Sequence, residues 1–136
     1  MSDFDYWFEN IVSEADLISS PNALTKAWIQ KDKDVTSAYD IDELLEQLLG
    51  DLRLHEHLRR FDQDLCRIGA VEAVAAFAQA LLDLEKIIKS DLRLKKPENL
   101  LISSQWEGLV RLAKCITQLP AARIYTTPAP KNSPQK

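Results

Sequence analysis

The stretch Val71–Ser90, VEAVAAFAQALLDLEKIIKS, decides the fold. Val71, Val74, Phe77, Ala78, Leu81, Leu82, Leu84, Ile87 and Ile88 recur at steps of three and four, the period of a buried helix face. No Gly or Pro interrupts them. Ala73, Ala75, Ala76 and Ala80 extend the apolar character around the helix and leave room for neighbours to approach. A helix apolar nearly all round belongs inside a bundle. At about 1.5 Å per residue it runs roughly 30 Å, the width of a small domain. The expected fold is therefore all-α: a single-domain bundle of five to six helices around this central helix.

The flanking sequence fills in the bundle. Phe4, Trp7 or Phe8, Ile11, Ala15 and Ile18 mark one face of a first helix from about Asp3, whose carboxylate suits a cap. Because Tyr6, Trp7 and Phe8 are consecutive, at least one of them must face water. Ser20-Pro21 signals a second, short helix with Leu24, Ala27 and Trp28 inward, dissolving in the charged loop Gln30–Asp34. Asp40-Ile41-Asp42-Glu43 has the form of a capping box, opening a helix with Ile41, Leu44, Leu45, Leu48 and Leu49 that Gly50 closes. From Asp51 to Ile68, Leu54, Leu58, Phe61, Leu65 and Ile68 are spaced four, three, four, three, a heptad-like seam. Gly69 then turns the chain into the central helix as an antiparallel hairpin. Pro97 interrupts the connection after Ser90, and Ser104-Gln105-Trp106-Glu107 reads as a capping box for a last helix to about Gln118. Residues 1–125 make one domain, and the Pro-rich, polar stretch 126–136 reads as a disordered tail. Asp51-Leu52-Arg53-Leu54 recurs as Asp91-Leu92-Arg93-Leu94, but the second copy runs into Pro97 and no third exists, which speaks against a repeat array.

Length and composition are those of an ordinary globular domain of 136 residues, 46% hydrophobic and 28% charged. Cys66 and Cys115 fall in apolar helical patterns and read as reduced core residues. The N-terminus lacks the basic and apolar regions of a signal peptide, and no segment reaches the length of a membrane span, so a cytoplasmic protein is the default.

Charge is where function enters. The net charge of −4 hides a division of the chain. Residues 1–51 carry twelve acids against three lysines, a balance of −9, while residues 52–136 carry nine acids against fourteen bases, a balance of +5. Either the halves present an acidic and a basic region, or they pack together and pair in part.

Catalytic and metal chemistry find little support. His55 and His57 stand at i and i+2, whereas a zinc-binding helix needs i and i+4, so both read as surface residues and no metal or cofactor is expected. Asp3/Asp5 and Asp40/Asp42 sit at helix starts, where acids favour the macrodipole. Asp62/Asp64 lie among Arg59, Arg60 and Arg67, with Arg60 and Asp64 at i, i+4 spacing. No nucleophile–base pair or phosphate loop accompanies them. Direct nucleic-acid binding is disfavoured by the acidic N-terminal third. Protein binding remains. Acids and aromatics interleave in DFDYWFEN and SAYDIDELLEQLLGDL, as a surface for a basic partner requires. The candidate binding residues are Asp3, Asp5, Tyr6, Glu9, Tyr39, Asp40, Asp42, Glu43, Glu46 and Asp51.

Over about the first half of the chain, Tyr39–Asp51 and the Trp-bearing acidic segment upstream resemble the immunity proteins of bacterial contact-dependent and colicin-type toxins. The resemblance implies a stoichiometric inhibitor, with no catalytic residues, that covers the basic active site of a cognate toxin domain, often a nuclease. The alternative is a helical adaptor or regulatory subunit with a non-toxin partner.

Overall fold

A computed structural model describes residues 2–20, 22–32 and 40–122. Every regular element among them is helical. In chain order these are α1 (Asp3–Ser19), a π-helical turn (Thr25–Ile29), α2 (Ile41–Leu45) running into a second π-helical turn (Glu46–Asp51), α3 (Leu54–Arg60), α4 (Asp62–Arg67), α5 (Val71–Ser90), a 3₁₀ turn (Leu92–Lys95), α6 (Pro97–Leu100), α7 (Ser104–Thr117) and a closing 3₁₀ turn (Pro120–Ala122). The expected single-domain all-α bundle is what the chain forms, with seven α-helices among the described residues where five to six were expected, because the stretch 51–68 divides in two and Pro97 starts the short α6. The tail 126–136 and the segment 33–39 lie outside the described residues.

One core joins all the longer helices. Helix α5 packs against α3, α4 and α7, with Val74, Phe77, Ala78, Leu81, Leu84 and Ile88 buried. It is not enclosed all round, since Ala75 and Ala76 are exposed. Alanine favours helix whether or not it is covered, so an alanine-rich face demands no neighbour. Helix α7 packs against both α1 and α5, giving the bundle its second axis. In α1, Phe4, Trp7 and Phe8 are all buried and Tyr6 is the residue left to water, at 65% exposed. Leu24, just before the first π-helical turn, and Trp28 within it are buried, and Trp28 meets Trp106 of α7 with ring centroids 6.0 Å apart.

Helix ends differ from the sequence reading by small shifts with clear causes. Ser2, not Asp3, caps α1. Its hydroxyl accepts from the Asp5 N–H at 3.1 Å, and the Asp5 carboxylate accepts from the Ser2 N–H at 3.4 Å, a reciprocal box. Asp40 caps α2 as expected, accepting from the Glu43 N–H at 3.0 Å. Gly50 does not end that helix. The π-helical turn that continues α2 runs one residue past it, to Asp51, and the left-handed position falls instead on Arg53, with φ 46°. The helix read over residues 51–68 is two, α3 and α4, broken at Phe61, whose ψ of 23° is bent out of the helical range while Leu54, Phe61 and Leu65 remain buried. Ser103, not Ser104, caps α7, accepting from the Trp106 N–H at 3.1 Å.

Gly69 performs the turn assigned to it. The Gly69 N–H donates to Cys66 O at 3.1 Å and the Ala70 N–H to Leu65 O at 2.8 Å, a Schellman pair around φ 69° at the glycine. Ala70 and Leu65, the two residues such a motif brings together, are both fully buried. The two cysteines are free thiols but exposed, not core. Each sits on the outer edge of its helix, where a small side chain near an apolar stripe gives no sign of which side of the boundary it falls on.

The two Asp-Leu-Arg-Leu segments adopt different structures. In the first, Arg53 starts α3 in the left-handed region. In the second, Asp91 caps a 3₁₀ turn and Arg93 grips its carboxylate from Nε and Nη2, both at 3.0 Å. That hydrogen-bonded guanidinium holds the Asp91 carboxyl below its ordinary pKa.

Candidate partner-binding surface

The acidic residues separate into those occupied by helix ends and those that face clefts. Asp5 and Asp40 spend carboxylate oxygens on the caps of α1 and α2. Glu43 is half-buried on α2 and Glu9 half-buried on α1. Tyr39 lies outside the described residues. Asp3, Tyr6, Asp42, Glu46 and Asp51 are exposed, and they gather at two sites.

The first site is a cleft of about 550 Å³ between the start of α1, the end of the second π-helical turn and α3. Asp3 and Tyr6 stand on one wall, Asp51 on another, and Arg60 with Phe61 on a third. The sequence separates Tyr6 from Asp51 by 45 residues. What brings them together is Trp7. Its indole N–H donates to Leu52 O at 2.8 Å, tying α1 to the π-helical turn. Behind this bond the rings of Phe4, Trp7 and Phe61 pack with centroids 5.2 to 6.2 Å apart, so the tie rests on a rigid aromatic base.

His57 joins that base. Its ring lies 5.7 Å from Trp7 and 5.2 Å from Phe61, and its Nδ1 is buried with no hydrogen-bond partner. The surface reading of this histidine is therefore corrected. The i, i+2 spacing from His55 puts the two imidazoles on different sides of α3, and only His55 is exposed. Among the described residues no group of three or more His, Cys, Asp or Glu side chains could hold a metal ion.

The second site is a groove of about 570 Å³ between α2 with its π-helical extension and the C-terminal part of α5. Leu45, Leu49 and Ile88 make its floor. Asp42, Glu46 and Glu85 line it together with Lys89 and Lys95. Lys95 Nζ stands 3.0 Å from Asp42 Oδ2.

The two halves of the chain thus pair in part while their remaining acids stay open. Asp3 bonds Arg60 at 3.0 Å and Asp42 bonds Lys95 at 3.0 Å, each joining residues 1–51 to residues 52–136. Arg60 does so in preference to Asp64, which takes Arg67 at 3.0 Å instead. All of these pairs are well exposed on at least one partner, where such contacts contribute about 0–1 kcal/mol each and are screened by salt. Asp51 has no ion pair among the described residues.

Sequence reasoning missed Arg60, His57, Glu85, Lys89 and Lys95 as members of these sites. All five come from the half of the chain with a net positive balance, and only the tertiary fold sets them against the acids. Phe61 carried a signal in its place in the apolar seam, which predicted burial but not its place in the lining of a cleft. Glu14 was overlooked also. Its Oε1 is buried without a partner, and burial raises its pKa above 4.5.

Among the described residues no helix is long and apolar enough to cross a membrane. No protein-family model, no curated protein and no solved structure matches this chain.

Proposed function

We propose that this protein is a stoichiometric inhibitor of the immunity type, which covers the basic active site of a cognate bacterial toxin domain, a nuclease by preference, and excludes its nucleic-acid substrate. The reading rests on one observation above all: Asp3, Tyr6 and Asp51, from two acidic stretches far apart in sequence, meet at one cleft on a rigid aromatic base. An exposed aromatic beside carboxylates supports the role, the ring anchoring a partner and the charges steering it. Asp42 and Glu46 extend the acidic surface along α2 and its π-helical turn. Asp5 and Asp40 serve this surface indirectly, by fixing the helix starts that present it. A partner held this way associates quickly and loses affinity as salt rises.

A second reading is favoured by the groove along α2 and α5. Its apolar floor with acids and lysines at the rim fits an amphipathic helix of mixed charge, as a helical adaptor for a non-toxin protein requires.

Genetics separates the two. The gene beside this one, expressed alone, arrests growth if the inhibitor reading is right, and co-expression with this chain restores growth. Rescue is lost when Asp42, Glu46 and Asp51 are changed to Lys together, substitutions that leave both caps in place. A harmless neighbour, or rescue that survives the charge reversal, refutes the reading.

A further inference from the structure

We infer that the cleft between α1 and α3 receives the guanidinium of an arginine from the basic partner, and that Arg60 is a tethered cation holding that place until the partner arrives. The inference rests on the proposed basic partner and names the chemistry by which one of its side chains is held.

Arg60 displays what the cleft does with a guanidinium. Its Cζ lies 4.7 Å from the centre of the Phe61 ring, and its Nη2 donates to Asp3 Oδ2 at 3.0 Å. A ring face below and a carboxylate beside it are the two contacts a guanidinium favours. The hold is weak. The side chains of Arg60 and Asp3 are 54% and 81% exposed, so water and salt compete for both ends of the pair. Arg60 is exposed and lies outside the buried core, so it can swing out and leave the Phe61 face to another cation.

The cleft offers more than Arg60 uses. Asp51 stands on another wall with no base paired to it among the described residues, and Tyr6 adds an aromatic ring that is 65% exposed. With Arg60 in place, Asp3, Asp51 and Arg60 leave the lining one negative charge. With Arg60 displaced the two carboxylates face the cleft together, and an incoming cation meets two. A planar fork of five donors offers hydrogen bonds to more than one carboxylate while its face lies on a ring, which a lysine ammonium does not. The volume of about 550 Å³ accommodates such a side chain. The groove along α2 and α5 has carboxylates but no aromatic ring in its lining, so it lacks half of this arrangement.

The experiment titrates the full-length ¹⁵N-labelled protein with a hexa-arginine peptide, following the Trp7 indole and the backbone amides of Tyr6, Leu52 and Phe61 by NMR. A hexalysine peptide is the comparison. Arg60→Gln removes the internal competitor and tightens hexa-arginine about fivefold, because the receptive state no longer shares its population with the self-occupied one. Asp51→Asn weakens it about fivefold. Arg59→Gln removes the same charge from an exposed neighbour outside the cleft and changes affinity less than twofold. Equal effects of Arg60→Gln and Arg59→Gln, or equal affinity for hexalysine, overturn the inference. Shifts confined to the α2–α5 groove also overturn it while leaving a basic partner in place, whereas failure of either peptide to bind at any site counts against both.

Discussion

Replacing Trp7 with Phe tests whether the tie between α1 and the π-helical turn organises the candidate surface. The substitution removes the indole N–H that donates to Leu52 O at 2.8 Å in a partly buried setting. Losing that bond costs about 1 kcal/mol, and more if the carbonyl finds no water. The smaller ring also gives up roughly 40 Å² of buried surface, about 1 kcal/mol at 25 cal/mol/Å². The sum is about 2 kcal/mol, or a fall in Tm of roughly 8 °C for a domain of this size. Trp106 supplies the control, being 5% exposed against 4% for Trp7 but making no indole hydrogen bond among the described residues. Trp106→Phe loses ring area alone, about 1 kcal/mol. Urea unfolding followed by circular dichroism measures both. Equal losses for the two variants refute the claim that the Leu52 bond carries weight.

Three further outcomes follow from single features of the fold. Glu14 has a pKa raised by burial, so the folded state binds its proton more tightly than the unfolded chain does. The resulting penalty is absent well below pH 4.5, develops as pH rises from there through the raised value and is constant above it, so Glu14→Gln gains stability at neutral pH and gains nothing at pH 4, as parallel thermal melts show. Gly69→Ala meets no atom within 4 Å of the added Cβ, but φ 69° costs an L-residue about 1 kcal/mol, read as a lower urea midpoint with unchanged slope. Cys66 and Cys115 are exposed free thiols, and both titrate rapidly with a thiol reagent in the native protein, whereas core thiols react only after unfolding.

The helical bundle was legible because periodicity is a local record of burial. Phe77, Leu81 and Ile88 had to face a core once the chain coiled at 3.6 residues per turn. Aromatic crowding at Tyr6, Trp7 and Phe8 likewise forced one ring outward, and the ring is Tyr6. The failures share a cause. Whether Ala75, Ala76, Cys66 or Cys115 is covered depends on what lies opposite, and small residues leave that choice open. The break at Phe61 is invisible to a count of apolar spacings, because Leu54, Phe61 and Leu65 stay buried on both sides of it.

The candidate surface was legible only in its acidic half. Acids interleaved with aromatics marked Asp3, Tyr6 and Asp51 as a possible set, but their meeting depends on the Trp7 bond to Leu52, a contact spanning 45 residues. The sequence left open whether Arg60 and Lys95 belong to a separate basic region or pair with the acidic half. The fold places each against an acid of the first half, so the division of charge along the chain survives in space only where Asp51, Glu46 and their neighbours remain open.

The most direct test of a basic partner at this surface is capture from a lysate of the source organism, with the tagged wild-type protein and its Asp42→Lys, Glu46→Lys, Asp51→Lys variant as parallel baits at low and high salt. The account predicts one basic protein on the wild-type bait, released by salt, absent from the charge-reversed bait, and toxic when expressed alone. A partner retained equally by both baits, or nucleic acid in place of protein, contradicts it.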